Sequence, residues 1–415
     1  MQENKLREKS GMGLFEFLLI AFFTAYCILP SFGQMFPFTY ILMAALGYCL
    51  CIALFESKAS PKVSRFLVMI CILALVYTIT CEPRTISHSV SNRKMKFFIS
   101  MINQYLMLFF PLLMFYRLKE YAGRRNKKVL LYFAYALVIY VFVNTLLEIL
   151  ANPGITRHWE QFSESSESNI GSYSFVYSIP YITVIFGMFL LKARSSIIKI
   201  LCFICIGICF YFLLHAEYTL ALLVTIIGLV VLFVQIYDSV GIKAMLVCSV
   251  IAFFVMAPYI FNWLAESVPT EAMSIRLREI ANFFTSGDAS SENLGGRMTL
   301  YIKGIEYFFR SPFSGHRILR FDPHATILNI LSDTGILGFV PFMYVITGCN
   351  KVARSLLGES ARLFTPMFFM LIAMGLTNPI HSATQISFAV WFIAPLTIDL
   401  FINKREDEQY ERVEG

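Results

Sequence analysis

The residues here that could do chemistry crowd into one stretch, Gly295–Gly338, which mixes Arg, His, Asp, Tyr and Gly in a chain otherwise apolar. Within it, Arg297 to Arg310 has the spacing of an amphipathic helix. At about 100° per residue, Met298, Tyr301, Ile302, Ile305, Phe308 and Phe309 share one face, and Lys303, Glu306 and Arg310 the opposite one. Arg297 falls near the edge of the apolar stripe, beside Gly304. A charge turned toward a packed side calls for an anionic partner. Ser311-Pro312 should end this helix, because proline disfavours helical geometry in the residue before it. Asp322-Pro323-His324 then reads as a new helix start, with Asp322 as N-cap and Pro323 first in the helix. His324 would lie in the first turn, where the helix dipole favours neutral imidazole, a form that can accept a proton. Gly335 should break this helix.

The surrounding elements must hold these groups at a membrane. The chain is 57% hydrophobic and 15% charged, with 41 Phe. Its apolar runs recur at about 20 residues, the length that crosses a bilayer as helix, and about twelve such runs can be placed. They are Gly13–Pro30, Phe38–Phe55, Arg65–Thr80, Phe97–Tyr116, Val129–Leu150, Tyr173–Leu191, Ile197–Leu214, Tyr218–Tyr237, Lys243–Trp263, Gly335–Gly348, Leu363–Thr377 and Ile386–Ile402. The expectation is an all-α polytopic membrane protein forming one domain over residues 1–415. Most of the 34 basic residues fall on one set of loops, which the positive-inside rule assigns to the cytoplasm together with both termini.

The other basic residues concentrate in the long extramembrane insertion between the ninth and tenth runs, residues 262–324. It holds Arg276 and Arg278 on a short helix, SIRLREIANFF, and then Arg297. Outside charge at this density runs against the topology rule, so another requirement must keep it there. All six His reach the same side, among them His215 in the tight turn His215-Ala216-Glu217 and His381 beside Asn378. Asn103 and Gln104 lie in the outer part of their run. The acidic, Ser-rich segment Glu160–Ser168 reads as a mobile loop. Cys202, Cys205 and Cys209 share a helix face in an apolar run without nearby His, which makes them packing residues rather than metal ligands. Nucleotide-binding loops, Rossmann glycine patterns and nucleophile elbows are all lacking.

The order GGR, helix, RSPFSG, His, Leu, GILGF after about nine spans resembles the bacterial O-antigen polymerase and O-antigen ligase superfamily. The matching positions are Arg297, Pro312, Gly315, His324, Leu328, Gly335 and Gly338, within Ile275–Phe342. Ala325 stands where members commonly have Asn. Glu217-Tyr218-Thr219 stands where many ligases have a Ser-Arg pair. The resemblance implies a GT-C-like membrane glycosyltransferase working at the periplasmic face of the bacterial inner membrane. Its substrates would be oligosaccharide repeat units on undecaprenyl diphosphate, with no nucleotide sugar, metal or other cofactor, no nucleic acid, and a chain-length regulator as a protein partner. Under it, Arg297, Arg276 and Arg278 would bind the diphosphate, since the guanidinium fork matches phosphate oxygens. His324 would act as general base. Gly315, Tyr301 and His215 would support them, and the amphipathic helix would lie at the interface. A ligase moving glycan to lipid A-core is the neighbouring reading, and a flippase of lipid-linked sugars the competing class.

Overall fold

The computed structural model describes residues 12–36, 38–56, 60–80, 90–152, 155–156, 169–237, 240–268, 271–286, 294–316, 325–381 and 383–402. Among them the chain is helical throughout, without strands. An apolar segment in lipid must satisfy its own backbone, and a helix does this within one segment. Among the described residues, eight helical stretches are long and apolar enough to cross a membrane, fewer than the about twelve runs placed from the sequence: Pro61–Thr80, Phe97–Tyr121, Arg124–Ala151, Tyr173–Lys192, Ser196–His215, Thr219–Ile236, Thr326–Thr377 and Thr384–Ile402. Leu14–Ile28 and Tyr40–Phe55 are shorter apolar helices. These elements mark a membrane-embedded polytopic protein.

In chain order the helices are α1 (Leu14–Ile28), α2 (Pro30–Met35), α3 (Phe38–Phe55), α4 (Ser60–Thr80), α5 (Val90–Tyr121) and α6 (Arg124–Ala151). A single turn, α7 (Tyr173–Val176), leads into α8 (Ile179–Lys192), α9 (Ser196–His215), α10 (Thr219–Ile236) and α11 (Val240–Ser267). Two further helices, α12 (Glu271–Ser286) and α13 (Leu294–Arg310), precede α14 (Thr326–Leu357). A 3-10 turn, Gly358–Phe364, joins α14 to α15 (Thr365–Thr377), and α16 (Thr384–Phe388) continues through π-helical turns to Ile402.

The last helix is the axis of the bundle. Phe388, Trp391 and Phe392 on it are fully buried, and it packs against α1, α5, α6 and α8. At one end of the bundle, charges that lipid would not tolerate alone are paired. Arg117 bonds Glu16 through Nε and Nη2 at 2.6 and 3.0 Å and also pairs with Glu56. Asp399 accepts from Lys119 and lies 3.5 Å from Lys127. This basic end also carries the α5–α6 and α8–α9 turns. The opposite end carries the α9–α10 turn, the start of α14 and the end of α15.

Candidate functional site

The GILG glycines and the RSPFSG loop turn out to be two halves of one joint. α14 is interrupted at Gly335, which has φ 61° and ψ −156°. Such a break strips backbone groups of helical partners, and each unmet group in an apolar setting costs several kcal/mol. The loop after α13 replaces them. Pro312 O accepts from Ile336 N at 2.8 Å, Phe313 O accepts from Leu337 N at 3.2 Å, and His316 N donates to Ser332 O at 2.8 Å. Both glycines are required sterically. A Cβ at Gly315 (φ 71°) would sit 2.1 Å from Asp333 O, and one at Gly335 would sit 2.5 Å from Phe313 O. The expected break at Gly335 is thus present. The expected start is not where the sequence suggested: α14 begins at Thr326, with Ala325 extended at φ −129°. Asp322, Pro323 and His324 lie outside the described residues.

α13 has three faces rather than two. Gly304 is buried and Tyr301, Tyr307 and Phe308 are half-buried, so this is the packed side. Met298, Ile302, Ile305 and Phe309 form an exposed apolar stripe at i, i+4, i+7 and i+11, with Phe309 74% exposed. Lys303, Glu306 and Arg310 form the polar side, where Arg310 pairs with Glu306 at 2.5 Å. The single apolar face expected from periodicity is therefore divided. Gly304 is buried on the side of α13 that packs, and α13 contacts α14. Position 297 lies in the first turn of α13, two turns before Gly304; its side chain is outside the described residues.

α12 folds back on α11. Met273, Leu277, Ile280 and Ala281 are buried, and Phe284 stacks on Phe261 at 6.2 Å. Arg276 projects from the flank of this face. Its Nη1 donates to the Glu217 carbonyl at 3.0 Å and lies 3.6 Å from Glu217 Oε2. Glu217 is 5% exposed and left-handed at φ 63°. A non-glycine residue held there is strained and persists only when its surroundings over-determine it. Arg276, bonding both its carbonyl and its carboxylate, is part of that determination. Arg278, about 200° further round the helix, is exposed. His215, in the same turn as Glu217, donates from Nδ1 to Tyr211 O at 3.0 Å, and its ring lies 4.0 Å from that of Tyr211. Next to the turn, the Tyr218 ring packs on Tyr177 at 5.2 Å and on Tyr173 at 6.4 Å.

A second constellation, which sequence reasoning missed, centres on Thr326. Its Oγ1 donates to Asn378 O at 3.2 Å, accepts from Ile380 N at 2.8 Å, and meets His381 Nδ1 at 2.9 Å. One hydroxyl proton serves all three contacts only if His381 Nδ1 is the donor. His381 stacks on Tyr105 at 5.8 Å. Nearby in sequence on α5, Asn103 is 1% exposed and its Oδ1 has no partner among the described residues. Asn378, His381 and Asn103 were visible as polar residues in outer positions; Thr326 carried no signal beyond its place near a helix start.

The structure thus joins Arg276 to the His215–Glu217 turn and Gly315 to the α13–α14 joint, with Tyr301 half-buried on α13, while leaving Arg278 apart. The Ser174 hydroxyl accepts from Gln385 N at 3.2 Å, which ties the tyrosine cluster to the segment following His381. Among the described residues no group of three or more His, Cys, Asp or Glu could hold a metal ion, and Cys202, Cys205 and Cys209 are free thiols. No protein-family model matches this chain, and no curated protein matches it.

Proposed function

We propose that this chain is a membrane glycosyltransferase of the surface-polysaccharide polymerase type, working at the periplasmic face of the bacterial inner membrane. The growing glycan's anomeric carbon leaves undecaprenyl diphosphate as a hydroxyl of a new lipid-linked repeat unit attacks it. One C–O bond breaks at the diphosphate and one forms at the acceptor. The acceptor's proton goes to a base, and undecaprenyl diphosphate departs as an anion. Arg297 is the first cation for that anion and Arg276 the second, with Arg278 only a substitute for Arg276; His324 is the base, as the resemblance implies. A chain-length regulator would be its protein partner, although the transfer itself does not require one.

The observation carrying this reading is the placement of Arg276. A guanidinium from the extramembrane insertion is anchored on the α9–α10 turn, beside a cluster of three tyrosines and at the same end of the bundle as His381. Cation, aromatic faces and imidazole at one membrane surface suit a lipid diphosphate joined to sugar. The exposed stripe of α13, continued by the exposed Phe313, suits a helix lying in the interface where that headgroup sits. A transporter would need ionisable groups along a path at mid-membrane depth. Among the described residues, the Arg117–Glu16 and Lys119–Asp399 pairs lie at the basic end and Arg276–Glu217 at the other.

The same observation favours a second reading, the ligase. Many ligases carry an arginine in the chain at this turn, and here Arg276 brings one from outside it. The deciding experiment adds lipid-linked repeat units to purified protein in detergent, with and without lipid A-core. Longer lipid-linked glycan without lipid A-core supports the polymerase. Transfer only to lipid A-core supports the ligase. No transfer by active, folded protein, together with lipid movement in vesicles, overturns both in favour of a flippase.

A further inference from the structure

At the basic end, far from the residues above, two cavities and a groove join. The first cavity, of about 900 Å³, lies between the α8–α9 turn, the end of α10, the 3-10 turn and the last helix. Lys192, Arg194 and Arg362 line it together with Glu359, and Phe189 and Phe401 form part of its wall. Phe189 and Phe401 also belong to a groove of about 540 Å³ between α6, α8, α9 and the last helix, walled by Tyr132, Phe142, Ile182 and Cys209. Tyr132 in turn borders a smaller basic pocket formed by Arg124, Arg125 and Lys128. The groove's wall is almost wholly apolar, whereas the cationic side chains line the two cavities that share wall residues with it.

The dimensions match a lipid. Along α6 the groove runs from Tyr132 to Phe142, and along α8 from Phe189 back to Ile179. Ten residues of helix rise about 15 Å, which is about half of a ~30 Å hydrocarbon core, or one leaflet. A free phosphate would use the cations but leave the groove empty. A neutral lipid would fill the groove without using the charged lining of the adjoining cavity, which among the described residues holds Lys192, Arg194 and Arg362 with Glu359. We propose that this is a binding site for an anionic phospholipid of the leaflet at the basic end. Its phosphate sits among Lys192, Arg194 and Arg362, and an acyl chain lies along Phe189, Phe401 and Tyr132. Basic pockets between membrane helices recognise lipid headgroups by this combination of charge and shape. The proposal is independent of the reaction at the other end.

The test uses full-length protein, stripped of lipid in detergent, and reads thermal stability and lipid retained in native mass spectra. Phosphatidylglycerol should raise the melting temperature and stay bound; phosphatidylcholine with the same acyl chains should do neither. The variant Lys192→Gln/Arg194→Gln/Arg362→Gln should weaken the phosphatidylglycerol response about tenfold or more, from three lost charges. Lys199→Gln/Lys351→Gln, exposed basic residues outside both cavities, should respond as the native protein does. Should the triple variant not fold, Arg194→Gln alone, an exposed position, supplies the comparison, with a smaller loss expected. Ile208 also lines the groove, and Ile208→Trp, filling it, should weaken the response as well. An equal response to phosphatidylcholine, a native-like response in the charge variants, or the same shift from glycerol 3-phosphate alone would overturn the proposal.

Discussion

Ile336 donates its backbone N–H to the carbonyl of Pro312 at 2.8 Å, across the point where α14 stops being helical. With the Leu337–Phe313 and His316–Ser332 bonds, this makes the loop after α13 a splice for a broken helix. Two glycines in left-handed geometry, Gly315 and Gly335, permit the approach.

Alanine at either glycine should therefore destabilise the protein. Backbone at such positive φ costs a non-glycine residue about 1–3 kcal/mol, and the added Cβ also meets backbone rather than a movable side chain. Gly335→Ala and Gly315→Ala should each lower the melting temperature by several degrees or abolish monodisperse purification. Gly207→Ala, in open space on a helix, should be neutral or mildly stabilising, as removing a helical glycine is worth about 1 kcal/mol. Native-like melting of both joint variants would mean that the loop can leave the break without cost.

Arg276→Lys should impair glycan transfer far more than Arg278→Lys. Lysine keeps the charge but cannot span the carbonyl and carboxylate of Glu217 together. A charged hydrogen bond of this kind is worth about 1.5–3 kcal/mol, so a roughly tenfold or greater loss of turnover is expected, with Glu217 turn mobility rising in hydrogen exchange. Equal tolerance at both positions would show that the Arg276 contact is incidental to the reaction.

Thr326→Val retains shape but leaves the buried Ile380 N–H without its acceptor and His381 without its anchor. An unmet buried group costs about 1–3 kcal/mol. Thr326→Ser should restore stability and activity together, a rescue that distinguishes the hydroxyl from the methyl group.

His324→Ala should lower turnover about a hundredfold if His324 is the general base, with lipid-substrate binding kept. Arg297→Lys should impair polymer formation, and Arg310→Lys, on the exposed polar side of α13, should not. Full-length polymer from Arg297→Ala at normal protein levels would make Arg297 structural only.

Alkaline phosphatase fused after Ser290 should be active and after Arg354 inactive, from the distribution of basic residues. The reverse pattern would place His324 on the wrong side for a periplasmic reaction.

What was legible in the sequence was what depends on neighbours along the chain. Helices lie at the apolar runs because lipid forces each segment to satisfy its own backbone, and local composition alone decides that. Gly335 declared itself as a break because no other residue tolerates the geometry needed there. The helix start at Thr326 escaped, because Asp322-Pro323 offers good local capping chemistry, whereas α14 is tied at its start to Asn378, 52 residues away. The faces of α13 escaped for a related reason. Periodicity finds an apolar side, but only packing of α13 on its neighbours decides which part of it meets protein and which stays open. Arg276 and Glu217 are 59 residues apart, and their types allow many partners. That pairing, like the Thr326–His381 contact, exists only because α12 folds back on α11 and α14 meets the end of α15. Side-chain partnership over such separations is a property of helix packing, which composition and periodicity do not encode.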